Sequence, residues 1–468
     1  MRYVSTRGEA PTVDFEDVLL TGLAGDGGLY LPESWPRLDP AELRAMRGLS
    51  YSELAARVMW PFVEGAIAET EFDELVRDTY AKFDHPAVAP LKQLGSNLWL
   101  LELFHGPTLA FKDYALQLLG RLFDHILERR GERVTVVGAT SGDTGSAAIE
   151  ACRDRDAIDV FILHPRGRIS EVQRRQMTTV KAPNVHNIAL EGTFDDCQDV
   201  VKALFGDAAF RDEVRLSAVN SINWARIMAQ TAYYVAAAVA LGAPDRPVRF
   251  AVPTGNFGNV YAAYGARAMG LPVDRLIAGS NRNDILARFF ESGVMALGPV
   301  EPSLSPSMDI QISSNFERLL FDLYDRGGAA VAAAMVEFRE TGRLDVGRAR
   351  WRRAREIFIG CRVDDEATLA MIKRVYETCG ALVDPHTAVG LVAAEDRDED
   401  TTTPLVALAC AHPAKFPLAV ERATGVVPAL PRRLADLMER EERISVLERD
   451  VAAVQAFVRG RIRAEQAA

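Results

Sequence analysis

From Asp113 onward, apolar residues return every three or four positions, at Ala115, Leu118, Leu119, Leu122, Phe123, Ile126 and Leu127. That spacing places them on one face of a helix, which Gly131 stops. Just upstream, "NLWLLEL" at 97–103 is an apolar run of strand length. "RVTVVGATSGDTGSAAIEAC" then gives a β-branched strand, a polar glycine loop and small helix formers, and "AIDVFILHP" a second buried strand. The same order returns at 247–270 in "PVRFAVPTGNFGNVYAAYGARAMG". Strand, glycine loop and helix in repetition predict βα units, hence an α/β chain with mainly parallel sheets. Ligands of such sheets bind where these loops leave the carboxyl ends of the strands.

The remaining segments frame these units. Residues 1–92 carry the loop "GLAGDGGLYLPESWP" and the helical pattern "AELRAMRGLSYSELAARVMWPFVEG". Residues 325–375 are rich in Ala, Arg and Glu and read as a helical insertion. "GALVDPHTAVGLVAAE" and "PLVALACAHPAKFPLAV" read as a last helix and strand returning to the core, and the charged tail after Pro431 as helical. At 468 residues the chain is too long for one core. The expected division is an N-terminal domain at 1–92, an α/β domain at 93–235 carrying Lys112 and the SGDTG loop, a second at 236–428 carrying the GNFGN loop, and C-terminal helices at 429–468.

Composition narrows the partners. A formal charge of −11 argues against nucleic acid or an anionic membrane, so any anionic substrate needs local cations or backbone N–H groups. The five cysteines (Cys152, Cys197, Cys361, Cys379, Cys410) are scattered without a CxxC pair, as expected of a reducing compartment. No apolar signal core opens the chain, and the longest apolar stretch, at 232–241, is too short to span a bilayer. A cytoplasmic protein is expected. The histidines form no HExxH pattern and no GxSxG elbow occurs, so neither a metal site nor a serine hydrolase is supported.

Four places carry candidate chemistry. "TGNFGN" at 254–259, before a helix, reads either as an anion cradle for a phosphate or as a tight βα turn. "ATSGDTGSAA" at 139–148 lacks both GK[ST] and GxGxxG. Its Asp143 would repel a phosphate, so an amino-acid zwitterion suits it better, the alternative being a helix cap by Asp143 or Thr144. "NSINWARI" groups Ser221, Asn223 and Arg226; the arginine reads as a phosphate or carboxylate partner, or as half of a surface salt bridge. Lys112, in "HGPTLAFKDYALQLLG", is either a solvated lysine or an amine whose pKa a helix start and apolar neighbours depress.

Taken in order, "HGPTLAFKDYALQLLG", "ATSGDTGSAA", "NSINWARI", "PTGNFGNVYAAYGARAMG", "SMDIQISSNFERLL", "DPHTAVG" and "AHPAKF" resemble the motifs of threonine synthase. "YVSTRG" and "GLAGDGGLYLP" resemble the N-terminal domain of its longer bacterial and fungal branch, and the resemblance runs over residues 3–420. It implies a fold type II enzyme dependent on pyridoxal 5'-phosphate, with two open, mainly parallel α/β domains, an active site in the cleft and a mostly helical N-terminal domain. The implied reaction converts O-phospho-L-homoserine and water to L-threonine and phosphate, in a monomer or homodimer.

Position by position, the resemblance makes Lys112 the Schiff-base lysine. Gly255, Asn256, Phe257, Gly258 and Asn259 match the loop that cradles the cofactor phosphate, with Asn256 a possible helper toward the substrate. Ser141, Gly142, Asp143 and Thr144 match the loop that receives the substrate carboxylate. Ser221 and Arg226 match residues that hold the substrate phosphate, and Lys415 in "HPAKF" is a further cation candidate. Where the family usually has a threonine facing the pyridine nitrogen, this chain has Cys410, a weaker and longer donor. The rival readings are another fold type II dehydratase or β-replacement enzyme, a non-catalytic relative that binds a phosphometabolite, and a nucleotide-binding α/β protein.

Overall fold

A computed structural model describes residues 1–217, 220–396 and 402–463. Two compact units emerge. One comprises residues 1–19, 23–115 and 221–428, the other residues 20–22, 116–220 and 429–468. The sequence reading joined Lys112 and the SGDTG loop in one domain, whereas the compact units divide the chain between Ala115 and Leu116. Lys112 and the GNFGN loop therefore fall in the first unit and the SGDTG loop in the second.

The first unit is built on a six-stranded sheet in the order Phe358–Arg362, Val273–Ser280, Val248–Pro253, Leu405–Ala409, Leu98–Glu102, Leu91–Gln93. Every pairing is parallel except the last, where Leu91–Gln93 runs antiparallel at the edge. Val248–Pro253 and Leu405–Ala409 are buried along their whole length, as sheets covered on both faces require. The helix Pro385–Asp396 packs Val389 and Ala393 against Ile277, Leu405 and Ala407. At the N-terminus, Tyr3–Ser5 pairs antiparallel with Tyr30–Pro32, and the helices Tyr51–Val63 and Glu69–Tyr80 follow.

The second unit holds a five-stranded parallel sheet in the order Ser445–Leu447, Val185–Leu190, Ile158–Pro165, Val134–Ala139, Leu216–Ser217. Its core gathers Phe161, Leu163, Ile188 and Leu204 with Val454, Phe457 and Val458 of the helix Val451–Arg459.

The expected βα order holds, with two corrections. Within 325–375, Phe358–Arg362 is not helical but an edge strand of the first sheet. The charged tail is likewise not helical throughout, because Ser445–Leu447 pairs with Val185–Leu190. Both are short edge strands only partly buried, so the two-residue alternation that marks a strand has little length in which to register. The end of the tail, 464–468, lies outside the described residues. Among the described residues no helix is long and apolar enough to cross a membrane.

Gly390 shows how tightly helix and sheet approach beside the candidate loops. A Cβ there would lie 2.9 Å from Cδ of Pro253, the last residue of the strand that leads into TGNFGN. Helix propensity rewards Gly→Ala by about 1 kcal/mol, while overpacking costs about 1–3 kcal/mol. Overpacking is expected to win: Gly390→Ala should lower the stability read from urea unfolding, and a stabilised variant would show that the helix has room to move.

Candidate active site

Three loops of the first unit leave the carboxyl ends of neighbouring parallel strands: "HGPTLAFK" after Leu98–Glu102, "TGNFGN" after Val248–Pro253, and "CAHPAKF" after Leu405–Ala409. The first is clamped from both sides. Asp113, fully buried, accepts from the Thr108 N–H and hydroxyl, both at 2.8 Å. Lys415, also fully buried, donates from Nζ to the Thr108 carbonyl at 2.7 Å. Gly106 packs so closely that a Cβ would sit 2.4 Å from that of Asp113. Phe111 N–H donates to the Cys410 carbonyl at 2.8 Å and His412 N–H to that of Leu109 at 3.0 Å, binding the first loop to the third.

Lys112 is the first residue of the helix Lys112–Arg130, half-buried, with Nζ 4.9 Å from the Phe111 ring centroid. A helix start and an aromatic flank both bear on its ammonium. The dipole disfavours the charge and the ring face partly offsets that.

In the second loop, Phe257 adopts the left-handed conformation (φ 61°) and precedes the helix Gly258–Ala268. Such a conformation costs a non-glycine residue roughly 1–3 kcal/mol. Its buried ring offsets that cost by packing against Phe316, Phe358 and Phe290, with centroids at 5.2, 5.6 and 6.2 Å. The loop carbonyls are held from behind: Ser313 Oγ donates to Gly255 O at 2.6 Å and Asn315 N–H to Asn256 O at 3.1 Å. Among the described residues, the N–H groups of 255–260 find no acceptor. Gly255, Asn256 and Gly258 stay partly open. The first N–H groups of any helix lack an intrahelical partner, and donors at such a start can receive an anion. Asn259, by contrast, turns inward and accepts from the hydroxyls of Tyr233 and Tyr234.

The third loop is fixed through Asp384. Its carboxylate accepts from the N–H groups of His386 (3.0 Å) and Thr387 (3.1 Å), from the Thr387 hydroxyl, and pairs with His386 Nδ1 at 2.7 Å. The Thr387 hydroxyl oxygen in turn accepts from Cys410 N–H at 3.1 Å. Cys410 is buried, its thiol 3.8 Å from the Leu408 carbonyl. Arg226 lies in the first turn of the helix Trp224–Ala240 and is 3% exposed, which rules out the surface salt bridge. Burial lowers its pKa to about 10, so it keeps its charge at neutral pH. Ser221, half-buried, is held through its carbonyl by Asn315 Nδ2 at 3.1 Å.

The second unit carries the SGDTG loop. Neither Asp143 nor Thr144 caps the helix Asp143–Cys152; the cap is Gly142, at φ 136°, without a side-chain bond. Thr140 Oγ1 accepts from the N–H groups of Gly142 (3.0 Å) and Gly145 (2.8 Å), and Gln173 Nε2 donates to the Asp143 carboxylate at 2.8 Å. Ser141 and Thr144 remain partly open while Gly142 and Asp143 are buried.

Comparison with known proteins decides between the readings. The family models described as "Threonine synthase N terminus", "Pyridoxal-phosphate dependent enzyme" and "Threonine synthase, C-terminal" match residues 2–80, 83–344 and 387–458. A threonine synthase of Pseudomonas aeruginosa is 60% identical over 98% of each chain. The chain belongs to the threonine synthase family. A crystal structure of pyridoxal-phosphate-bound threonine synthase from Brucella melitensis superposes with a TM-score of 0.97 at 52% identity, covering 99% of this chain and 100% of that one. The yeast threonine synthase structure gives 0.93 at 40% identity over 98% of each.

As a threonine synthase family member, the chain is a pyridoxal-phosphate-dependent lyase of fold type II. Its residues fit that cofactor. The vacant N–H groups of 255–260 suit a phosphate, and Lys112 supplies an amine on a loop anchored two strands away in the same sheet. Sequence reasoning missed the residues that hold these groups in place: Asp113, Ser313, Asn315, Asp384, Thr387 and, in the second unit, Thr140 and Gln173. Most of them lay within motifs already quoted, as polar residues without a spacing of their own.

His412 gives a pH signature. Burial lowers its pKa from 6.5 to about 4, and Nδ1 accepts from the Ala414 N–H at 3.2 Å, a bond open only to the neutral ring. The unfolded chain therefore binds this proton first. The stabilisation is complete above pH 6.5 and is lost as pH falls toward 4. His412→Asn should flatten part of that acid slope in urea midpoints measured at pH 7, 6 and 5; His186, depressed similarly by burial, accounts for a further part.

Proposed function

We propose that this chain catalyses the conversion of O-phospho-L-homoserine and water to L-threonine and phosphate, with Lys112 as the catalytic amine. The observation that carries the reading is the meeting of the Lys112 loop, the N–H cradle of 255–260 and the Cys410 loop at three neighbouring strand ends. When bound, pyridoxal phosphate supplies the electron sink for charge at the substrate Cα.

The chain's own groups do the rest. Lys112 Nζ takes the Cα proton, its place at a helix start disfavouring the ammonium form. A second proton leaves Cβ, the Cγ–oxygen bond breaks with its electron pair going to phosphate, and a proton is returned at Cγ. Water then adds at Cβ, its hydroxyl becoming that of threonine, and a proton is returned to Cα. Arg226 and Ser221 bind the departing phosphate, with Asn256 helping. The buried guanidinium stabilises charge that grows as the bond breaks. Ser141, Gly142, Asp143 and Thr144 receive the substrate carboxylate, through the two open hydroxyls and loop N–H groups. Cys410 would offer the cofactor's ring nitrogen a thiol, a weaker and longer donor than a hydroxyl. Lys415, tied to Thr108, serves the phosphates indirectly by fixing the Lys112 turn. The enzyme works in the cytoplasm as a monomer or homodimer, without nucleic acid or membrane.

Purified protein given O-phospho-L-homoserine should release threonine and inorganic phosphate in equal amounts. Turnover of serine or threonine instead, with none of the phosphate ester, would transfer the chain to the dehydratases. Lys112→Ala should abolish turnover together with the visible absorbance of the covalently held cofactor. Arg226→Met should cut kcat/KM by roughly 10²–10³, the range for removing one preorganised charge-stabilising donor; a loss under threefold would remove Arg226 from phosphate expulsion.

A further inference from the structure

Arg318 is an unusual charge. Its side chain is fully buried in the first turn of the helix Phe316–Leu323, and among the described residues no carboxylate lies within ion-pair distance. Its donors go instead to neutral oxygens. Nε and Nη2 reach Tyr30 O at 3.0 and 2.9 Å, Nη2 reaches Ile222 O at 2.6 Å, and Nη1 holds Asn315 Oδ1. The guanidinium also lies 5.7 Å from the Trp224 ring centroid, two residues before Arg226. Burying a charge is expensive unless its donors are satisfied, and here they hold the backbone of Tyr30 and of Ile222, next to Ser221, together with the Asn315 side chain.

Asn315 passes that order on. With Oδ1 claimed by Arg318, its amide cannot flip, so Nδ2 is directed at Ser221 O, 3.1 Å away. Its backbone N–H holds Asn256 O, and the neighbouring Ser313 hydroxyl holds Gly255 O. A trans peptide points its C=O and N–H in opposite directions. Pinning the Gly255 and Asn256 carbonyls on one side therefore aims the N–H groups of Asn256 and Phe257 to the other, where the cradle is open. The Ser313–Arg318 segment thus touches both phosphate-directed elements, the cofactor loop and the Ser221 approach to Arg226.

We infer that Ser313, Asn315 and Arg318 are positioning residues for phosphate recognition: they fix the direction of the loop N–H groups and the register of the Ser221 segment without touching a phosphate themselves. This rests on the reading of 255–260 as the cofactor phosphate cradle. It assigns a role to "SSNFERLL", and it ties the N-terminal strand, through Tyr30 O, to the order of that cradle.

The test compares apoprotein binding of pyridoxal 5'-phosphate with binding of pyridoxal, which has the amine-reactive aldehyde but no phosphate, and records the phosphorus NMR resonance of the bound cofactor. Ser313→Ala and Asn315→Asp should each weaken pyridoxal 5'-phosphate by roughly three- to tenfold, the effect of one buried hydrogen bond. Pyridoxal binding should stay unchanged and the phosphorus resonance should move. Arg318→Met should do the same to a greater degree; if it fails to fold, the other two variants carry the test. Equal loss for both ligands, or no loss for either, in a folded variant overturns the inference. Wild-type protein that binds both ligands alike would instead overturn the cradle itself.

Discussion

Parallel pairing of Leu405–Ala409 with Leu98–Glu102 on one side and Val248–Pro253 on the other brings the reactive loops of the first unit together. Parallel strands all point their carboxyl ends one way, so whatever follows each of the three must emerge on one edge of the sheet. The amine, the donor cradle and the cysteine loop are far apart in the chain and adjacent only through this pairing. The Phe111–Cys410 and Leu109–His412 hydrogen bonds then lock two of the loops into a single piece.

What surrounds that edge is a set of buried polar groups, each with a defined geometric task. Asp113 holds Thr108 by its N–H and Lys415 by its carbonyl, Asp384 collects donors from His386 and Thr387, and Thr387 fixes Cys410. Buried charges are costly in isolation, and these are satisfied by close hydrogen bonds. Such groups add less to net stability than to uniqueness, since each has few alternative arrangements that keep every donor and acceptor occupied. The aromatic cluster under Phe257 plays the complementary part. It gives a strained backbone enough apolar contact to persist.

Much of this was legible in the chain itself, for identifiable reasons. Lys112 stood out because an apolar run met a charged residue at a helix start, and 254–259 because glycines between a strand and a helix mark either a tight turn or an anion site. Polar residues that act at a distance were not legible in the same way. Asn315 and Arg318 look like an ordinary helix start, and their partners Tyr30, Ser221 and Ile222 are brought to them only by the tertiary fold. The alternative caps at Asp143 and Thr144 fail because both residues lie inside the helix behind Gly142, and Gln173, on a different helix, donates to the Asp143 carboxylate. The strands Phe358–Arg362 and Ser445–Leu447 escaped because an edge strand of that length owes its existence to the neighbour it pairs with.

The position of Leu405–Ala409 inside the sheet has a consequence for how the molecule is made. It is the last strand of its sheet to leave the ribosome, yet it belongs between two that are synthesised much earlier. Until it arrives, Leu98–Glu102 and Val248–Pro253 cannot occupy their final places, and their inner edges present unpaired backbone. A growing chain of this kind must wait, with its earlier strands kept from pairing wrongly, for a closing segment that arrives late. Such long-range parallel closure is slow, so the burden falls on the interval before Leu405–Ala409 is made.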